Sequence, residues 1–123
     1  MNAIDLTRYD AYLFDLDGTI YVGANLLPGA KEAIALLRRR NKQIMMATNT
    51  SVYTRQDCVQ RLRNLGIELS VDQVVTGAYM AGLYFQEQHP NALVYVIGEE
   101  ALMKEITGLG IRTTADPYEA THL

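Results

Sequence analysis

The chain has 123 residues, 49% of them hydrophobic, and a formal net charge of −3 from 11 basic and 14 acidic side chains. This length and apolar share fit one modest domain, or one domain and part of a second, and exclude a disordered chain. The well-mixed charges offer no basic stripe for a nucleic-acid backbone. The single cysteine excludes an internal disulfide, and no apolar run has the length of a membrane span. We therefore expect a cytoplasmic protein that binds neither nucleic acid nor membrane.

Strand and helix patterns alternate along the first half of the chain. Residues 11–14 form a short, continuously apolar run, which is typical of a strand buried on both faces. Pro28 predicts the first position of a helix whose apolar residues recur at helical spacing. Residues 44–47 predict a second buried strand. Residues 54–57 resemble a capping box at the start of a second helix.

The second half of the chain continues the same alternation. Gly66 is predicted to end the second helix. A short strand at residues 74–75 precedes a helix over residues 78–88, and a further apolar strand is predicted over residues 93–97. Another helix and a strand that begins near Ile111 follow. Strands separated by helices of this length indicate βαβ units and a parallel sheet, so the predicted fold class is α/β.

Two acids follow the first strand. Asp15 stands at its carboxyl end, where open α/β sheets place their ligand sites, and Asp17 follows two residues later. Gly18 lets the chain turn and would leave backbone N–H groups to receive an anion. Mg²⁺ binds carboxylate and phosphate oxygens together, so the pattern predicts Asp15 as a nucleophile and Asp17 as an acid and base. The alternative is a simple Asp-Gly hairpin turn. Such a hairpin would need an alternating strand directly after the turn, whereas residues 21–25 look like a loop.

A polar cluster follows the second strand and includes Thr48, Asn49 and Thr50. Taken alone, such a cluster is more often an ordinary loop or N-cap than a binding site. Its place at the same sheet edge as Asp15 favours donors to a phosphate group. Arg55 could also reach an anion, although a surface position in the first turn of the helix explains it equally well.

Residues 15–19 and 48–49 resemble the first and second motifs of the haloacid dehalogenase (HAD) phosphatase superfamily. Residues 27–30, 47–51 and 96–99 are similar to its NagD-like and nitrophenyl-phosphatase-like subclass. The resemblance implies a Rossmann-like parallel sheet with helices on both faces, followed by the start of an α/β cap.

By this resemblance, residues 1–91 would form the N-terminal part of the HAD-like catalytic core, and residues 92–123 the beginning of the cap. Asp15 would form the phosphoenzyme and bind Mg²⁺, while Asp17 would be the general acid and base and bind the metal through its carbonyl. The residues that would bind the phosphoryl group are Leu16, Gly18, Thr48, Asn49 and Thr50. The expected substrate is a small phosphorylated metabolite: a sugar phosphate, a nucleotide or an aryl phosphate. A second copy of the chain, forming a homo-oligomer, stays open as a further partner.

Members of this superfamily extend beyond 123 residues and supply a lysine and a further acidic motif from their C-terminal half. No position before Leu123 matches these two elements, so we expect the chain to be part of a longer protein or to depend on another chain. The strand at residues 11–14 would then have a partner on one side only. Two other functions stay open: a phosphotransferase or mutase, and a non-catalytic phospholigand-binding regulatory module.

Overall fold

The computed structural model describes residue 5 and residues 8–123. Seven strands and four helices lie in this part of the chain: β1 (Ala11–Phe14), β2 (Tyr21–Val22), β3 (Asn25–Leu26), α1 (Ala30–Arg39), β4 (Gln43–Thr48), α2 (Arg55–Asn64), β5 (Val74–Thr76), α3 (Gly77–Gln88), β6 (Leu93–Tyr95), α4 (Glu100–Gly108) and β7 (Arg112–Thr114). A 3-10 turn at Val71–Gln73 precedes β5. Among these described helices, none has both the length and the apolar character needed to cross a membrane.

The chain divides into two compact units. The first unit comprises the described part of Met1–Thr48 together with Val59–Val74. The second unit comprises Asn49–Cys58 and Val75–Leu123. The predicted boundary between a core and a cap after residue 91 stays a prediction.

A parallel pair of strands organises the first unit. β1 and β4 run in parallel, with Tyr12 opposite Ile44 and Phe14 opposite Met46. The strand order of the sheet is β1-β4-β5, so β1 has one neighbouring strand within the described part of the chain. The predicted parallel sheet is confirmed.

The two faces of the β1–β4 pair differ in burial. Ile44 and Met46 are buried on one face. On the other face Leu13 lies opposite Met45, and their exposed fractions are 68% and 37%. The expectation that residues 11–14 are buried on both faces is therefore wrong for this chain. An apolar run predicts a strand, but it does not predict what covers each face of that strand.

Helix α1 closes the buried face of the first unit. It begins at Ala30 after the N-cap Gly29, so Pro28 precedes the helix and does not occupy its first position. The buried side chains of α1 recur at helical spacing, as the sequence predicted. The largest fully buried side chains of this unit are Leu16, Ile20, Tyr21, Ile34, Met46, Leu62, Ile67 and Val74.

The second unit combines α3 and α4 with a small parallel pair of strands. Thr76 caps α3, because its side chain accepts a hydrogen bond from the N–H of Tyr79 at 3.1 Å. β6 and β7 pair in parallel, with Val94 opposite Thr113. β6 ends at Tyr95, two residues earlier than predicted, and the side chain of Ile97 is exposed. The buried cluster at the centre consists of Ala92, Val94, Ile106 and Ile111.

Candidate active site

The turn after β1 carries both predicted catalytic acids at the surface. Asp15 directly follows the last residue of β1. Asp15 and Asp17 are exposed, whereas Leu16 between them is completely buried. Both acids therefore face solvent at this turn.

The carbonyl of Leu16 anchors this turn. It accepts hydrogen bonds from the backbone N–H groups of Thr19, Ile20 and Tyr21, at N···O distances of 3.2, 2.9 and 3.3 Å. Gly18 completes the turn with a φ of +78°, a conformation in which a side chain would be strained. These backbone hydrogen bonds therefore hold the segment from Leu16 to Tyr21 in a defined conformation.

Leu16 and Gly18 use their backbone N–H groups within the turn. The N–H of Leu16 donates to Oδ1 of Asp15 at 2.8 Å, and the N–H of Gly18 donates to the carbonyl of Tyr21 at 2.9 Å. Both N–H groups thus have acceptors within the chain, and their predicted role in phosphate binding stays a prediction. Phosphate binding through Leu16 or Gly18 would require the present hydrogen bonds to be exchanged.

A two-stranded hairpin follows the turn. Tyr21 pairs with Leu26 and Val22 with Asn25 in antiparallel register, around a turn in which Gly23 has a φ of +58°. The interpretation of residues 21–25 as a loop is therefore wrong. The hairpin does not include β1, which pairs with β4, so the Asp-Gly turn does not join β1 to an antiparallel partner.

Arg61 on α2 contacts the hairpin that β2 and β3 form. Its guanidinium donates to the carbonyl of Gly23 at 3.1 Å, and its central carbon lies 5.0 Å from the centroid of the Tyr21 ring. Sequence reasoning missed this contact. An arginine on a polar helix surface carries no signal for a partner 38 positions earlier in the chain.

Thr48 stands at the end of the strand next to β1. It is the last residue of β4, and 7% of its surface is exposed. Because the parallel register places Phe14 opposite Met46, Asp15 and Thr48 both follow at the carboxyl ends of neighbouring strands. The structure thus brings Asp15, Asp17 and Thr48 to one edge of the sheet, as predicted from the strand pattern.

Asn49 and Thr50 continue the chain beyond β4 and belong to the second unit. Asn49 is exposed, and Thr50 is half-buried. The hydroxyl oxygen of Thr50 accepts a hydrogen bond from the N–H of Val52 at 3.4 Å. The predicted role of both residues as phosphate ligands stays a prediction.

Comparison with known proteins places the chain in a family. The model of the haloacid dehalogenase-like hydrolases matches residues 12–112. The chain belongs to this family. The match includes Asp15, Asp17 and Thr48, the three residues that the structure brings to the sheet edge.

Individual members of the HAD-like family are similar over nearly the whole chain. An acid sugar phosphatase of Staphylococcus epidermidis is 37% identical over 113 residues, which are 92% of this chain and 44% of that protein. A p-nitrophenyl phosphatase from Archaeoglobus fulgidus has a TM-score of 0.85 and 30% identity, covering 90% of this chain and 42% of that one. A glycerol phosphate phosphatase from Mycobacterium tuberculosis, solved in complex with magnesium, has a TM-score of 0.79 and 29% identity, covering 89% and 33%. The chain therefore spans less than half the length of these relatives.

The donor set of the HAD-like site suits a hard divalent cation. Asp15 and Asp17 are exposed and offer carboxylate oxygens at the turn. Mg²⁺ commonly binds one or two carboxylates and fills its other positions with water and substrate phosphate. Among residue 5 and residues 8–123, no group of three or more His, Cys, Asp or Glu side chains could hold a metal ion. These residues fit Mg²⁺ as a partly hydrated ion, and they do not form a closed protein cage.

Proposed function

We propose that the protein to which this sequence belongs is a Mg²⁺-dependent phosphomonoester hydrolase that acts through an aspartyl-phosphate on Asp15. The observation that carries this proposal is the exposed pair of Asp15 and Asp17, two residues apart in the turn that follows β1. Membership of the HAD-like family and the similarity to sugar and nitrophenyl phosphatases support it. The proposed substrates are small phosphorylated metabolites such as sugar phosphates, nucleotides or aryl phosphates.

In the first step, a carboxylate oxygen of Asp15 attacks the phosphorus atom of the substrate. The bond between phosphorus and the ester oxygen breaks as the new P–O bond to Asp15 forms. Asp17, in its protonated form, gives its proton to the leaving oxygen, so that an alcohol departs and not an alkoxide. The exposure of both side chains leaves room for the substrate on the solvent side of the turn.

In the second step, water hydrolyses the phosphorylated Asp15. Asp17 is now a carboxylate and takes a proton from the water as its oxygen attacks phosphorus. The P–O bond to Asp15 breaks, which restores the Asp15 carboxylate and releases inorganic phosphate. Asp17 is again protonated and ready for another substrate.

The remaining groups bind the phosphoryl oxygens. The hydroxyl of Thr48 is placed at the end of β4, and Asn49 and Thr50 are the further donors that the family resemblance assigns. The Asp15 carboxylate and the Asp17 backbone carbonyl would hold Mg²⁺. When bound, the ion would offset the repulsion between the Asp15 carboxylate and the phosphate dianion.

Beryllium fluoride, a mimic of the phosphoryl group on aspartate, tests the proposal without requiring turnover. We expect the protein to which this sequence belongs to bind beryllium fluoride in the presence of Mg²⁺, with one equivalent seen by calorimetry and ¹⁹F NMR. Asp15→Asn should abolish this binding, because the asparagine amide cannot replace the carboxylate as the ligand of beryllium fluoride. Asp10→Asn is the matched control, since it removes an exposed carboxylate just before β1 that forms a 3.7 Å ion pair with Lys42.

Retained beryllium fluoride binding in Asp15→Asn would contradict the proposal. Phosphate release from p-nitrophenyl phosphate and from a panel of sugar phosphates and nucleotides then separates the remaining functions. Release to water indicates a hydrolase, and transfer to a second sugar indicates a mutase. Binding of beryllium fluoride without either reaction would favour a phospholigand-binding module.

A further inference from the structure

A largely buried charge pair links the start of α2 to α4 within the second unit. The carboxylate of Glu105 on α4 accepts a hydrogen bond through Oε1 from the backbone N–H of Arg55, the first residue of α2. Its other oxygen, Oε2, lies 3.9 Å from Nε of the same arginine. The side chains of Arg55 and Glu105 are only 20% and 11% exposed. Arg55 is therefore not the freely exposed surface residue that the sequence alone allowed.

Tyr79 on α3 completes this cluster. The central guanidinium carbon of Arg55 lies 3.4 Å from the centroid of the Tyr79 ring, which is close stacking of a cation on an aromatic face. Nε of Arg55 is buried and forms no hydrogen bond within the described part of the chain. The Glu105 carboxylate and the Tyr79 ring thus both offset the positive charge of the largely buried Arg55 side chain.

Close packing of α3 on α4 positions Glu105. A Cβ atom on Gly82 of α3 would lie 2.6 Å from Cδ1 of Leu109 and 3.4 Å from the carbonyl oxygen of Glu105. At this point the backbones of α3 and α4 therefore lie close together, with the Glu105 carbonyl in van der Waals range of the added atom. The carboxylate of Glu105 is therefore presented to α2 from a helix that packs closely on α3.

The contact satisfies a group that a helix normally leaves open. The first backbone N–H groups of a helix lack partners within it, and an acid placed there also interacts favourably with the helix dipole. Thr54 and Asp57 satisfy neighbouring groups locally, with the N–H of Asp57 donating to the Thr54 hydroxyl at 3.1 Å. Glu105 adds a long-range bond to Arg55, 50 positions away. The end of the segment that carries Asn49 and Thr50 is thus attached both to its own helix and to α4.

We propose that Arg55 and Glu105 are positioning residues that hold residues 49–54 in the conformation that binds a phosphoryl group. The inference rests on the proposed function, because it assigns Asn49 and Thr50 to phosphate binding. Ordering a loop costs conformational entropy for each residue that is fixed. An anchor at Arg55 orders part of the segment before the ligand binds, which reduces this entropic cost of binding. Loss of the anchor should therefore weaken phosphate binding and increase amide hydrogen exchange in the segment.

Glu105→Gln tests the pair, because it removes the charge but keeps an oxygen that can accept the N–H of Arg55. Glu100→Gln is the matched control, since Glu100 is on the same helix in an exposed ion pair with Lys104 at 2.8 Å. We expect Glu105→Gln to raise amide hydrogen exchange of residues 49–55 about tenfold, because it leaves a largely buried arginine without its counter-charge. Its affinity for inorganic phosphate with Mg²⁺ should fall by a similar factor, and Glu100→Gln should match the parent in both.

Three results would overturn the inference. Equal exchange in Glu105→Gln and Glu100→Gln would show that Glu105 does not order the segment. Faster exchange with unchanged phosphate affinity would show a purely structural contact. Failure of the protein to which this sequence belongs to bind phosphate would contradict the proposed function and this inference, while the exchange data would still show whether Glu105 anchors the segment. If Glu105→Gln does not fold, Arg55→Lys keeps the charge and the backbone N–H, and we expect the same changes at smaller size.

Discussion

Phe14 of β1 lies directly opposite Met46 of β4 in parallel register. One residue beyond Phe14 is Asp15, and two residues beyond Met46 is Thr48. A slip of one residue would turn every side chain of β1 to the opposite face, so the register decides which face the Asp15 carboxylate occupies. The half-buried side chains of Tyr12 and Phe14 oppose such a slip, because it would exchange them for the exposed Ala11 and Leu13.

The two faces of the β1–β4 pair should respond differently to truncation. Met46→Ala should lower the free energy of unfolding by about 2–5 kcal/mol, because it leaves a cavity in a closed core. Leu13→Ala should change it by less than about 1 kcal/mol, since most of the Leu13 side chain is already in water. Urea unfolding of both variants measures the difference. Similar losses would mean that the Leu13 face is covered in solution.

Gly18 and Gly77 form a second matched pair. A Cβ atom has open space at both positions, but only Gly18 has a positive φ, of +78°. Gly18→Ala should therefore destabilise the chain by about 1–2 kcal/mol through backbone strain alone. Gly77→Ala, at the first residue of α3, should be neutral or stabilising by up to about 1 kcal/mol. Thermal unfolding of both variants makes the comparison, and an equal effect would exclude strain at Gly18 as the cause.

Acid should weaken the start of α2. The Asp57 carboxylate accepts hydrogen bonds from the backbone N–H of Thr54 at 2.9 Å and from its hydroxyl at 2.8 Å. These bonds lower the pKa of Asp57 below its ordinary value of 3.8. The unfolded chain therefore binds this proton more tightly. The stabilisation is complete above the unfolded pKa and is lost as pH falls through the lower, folded pKa.

Asp57→Asn should accordingly flatten the decrease of unfolding free energy below about pH 4, because no carboxylate remains to be protonated. Thr54→Ala should cost about 0.5–2 kcal/mol at neutral pH, as the loss of an N-cap usually does. It should also reduce the acid dependence only in part, since the backbone N–H of Thr54 still donates to Asp57. Denaturant unfolding between pH 2 and pH 7 measures both effects. An unchanged acid dependence in Asp57→Asn would assign it to other carboxylates.

Features encoded by neighbouring residues could be predicted from the sequence. The strand at residues 11–14, the capping box at residues 54–57 and the place of Asp15 depend on patterns within a few positions. The structure confirms each of them. The hairpin at residues 21–26 is also local but was missed, because two residues per strand are too few to show an alternating pattern.

Features that depend on distant contacts could not be predicted in the same way. The exposure of Leu13 depends on what packs against that face of the sheet. The apolar run at residues 11–14 carries no information about this packing. The partner of Arg55 lies 50 positions away on another helix, and neither residue stands in a recognisable motif.

Asp17→Asn should separate proton transfer from ligand binding. The amide cannot supply or accept the proton, but the backbone carbonyl of Asp17, the proposed metal ligand, is unchanged. We therefore expect beryllium fluoride and Mg²⁺ to bind Asp17→Asn as they bind the parent, in contrast to Asp15→Asn. Wherever the parent hydrolyses a phosphomonoester, the variant should be slower by about 10²–10⁴-fold. If Asp17→Asn instead loses beryllium fluoride binding as completely as Asp15→Asn, the Asp17 side chain acts in ligand binding, and the proton must be carried by another group.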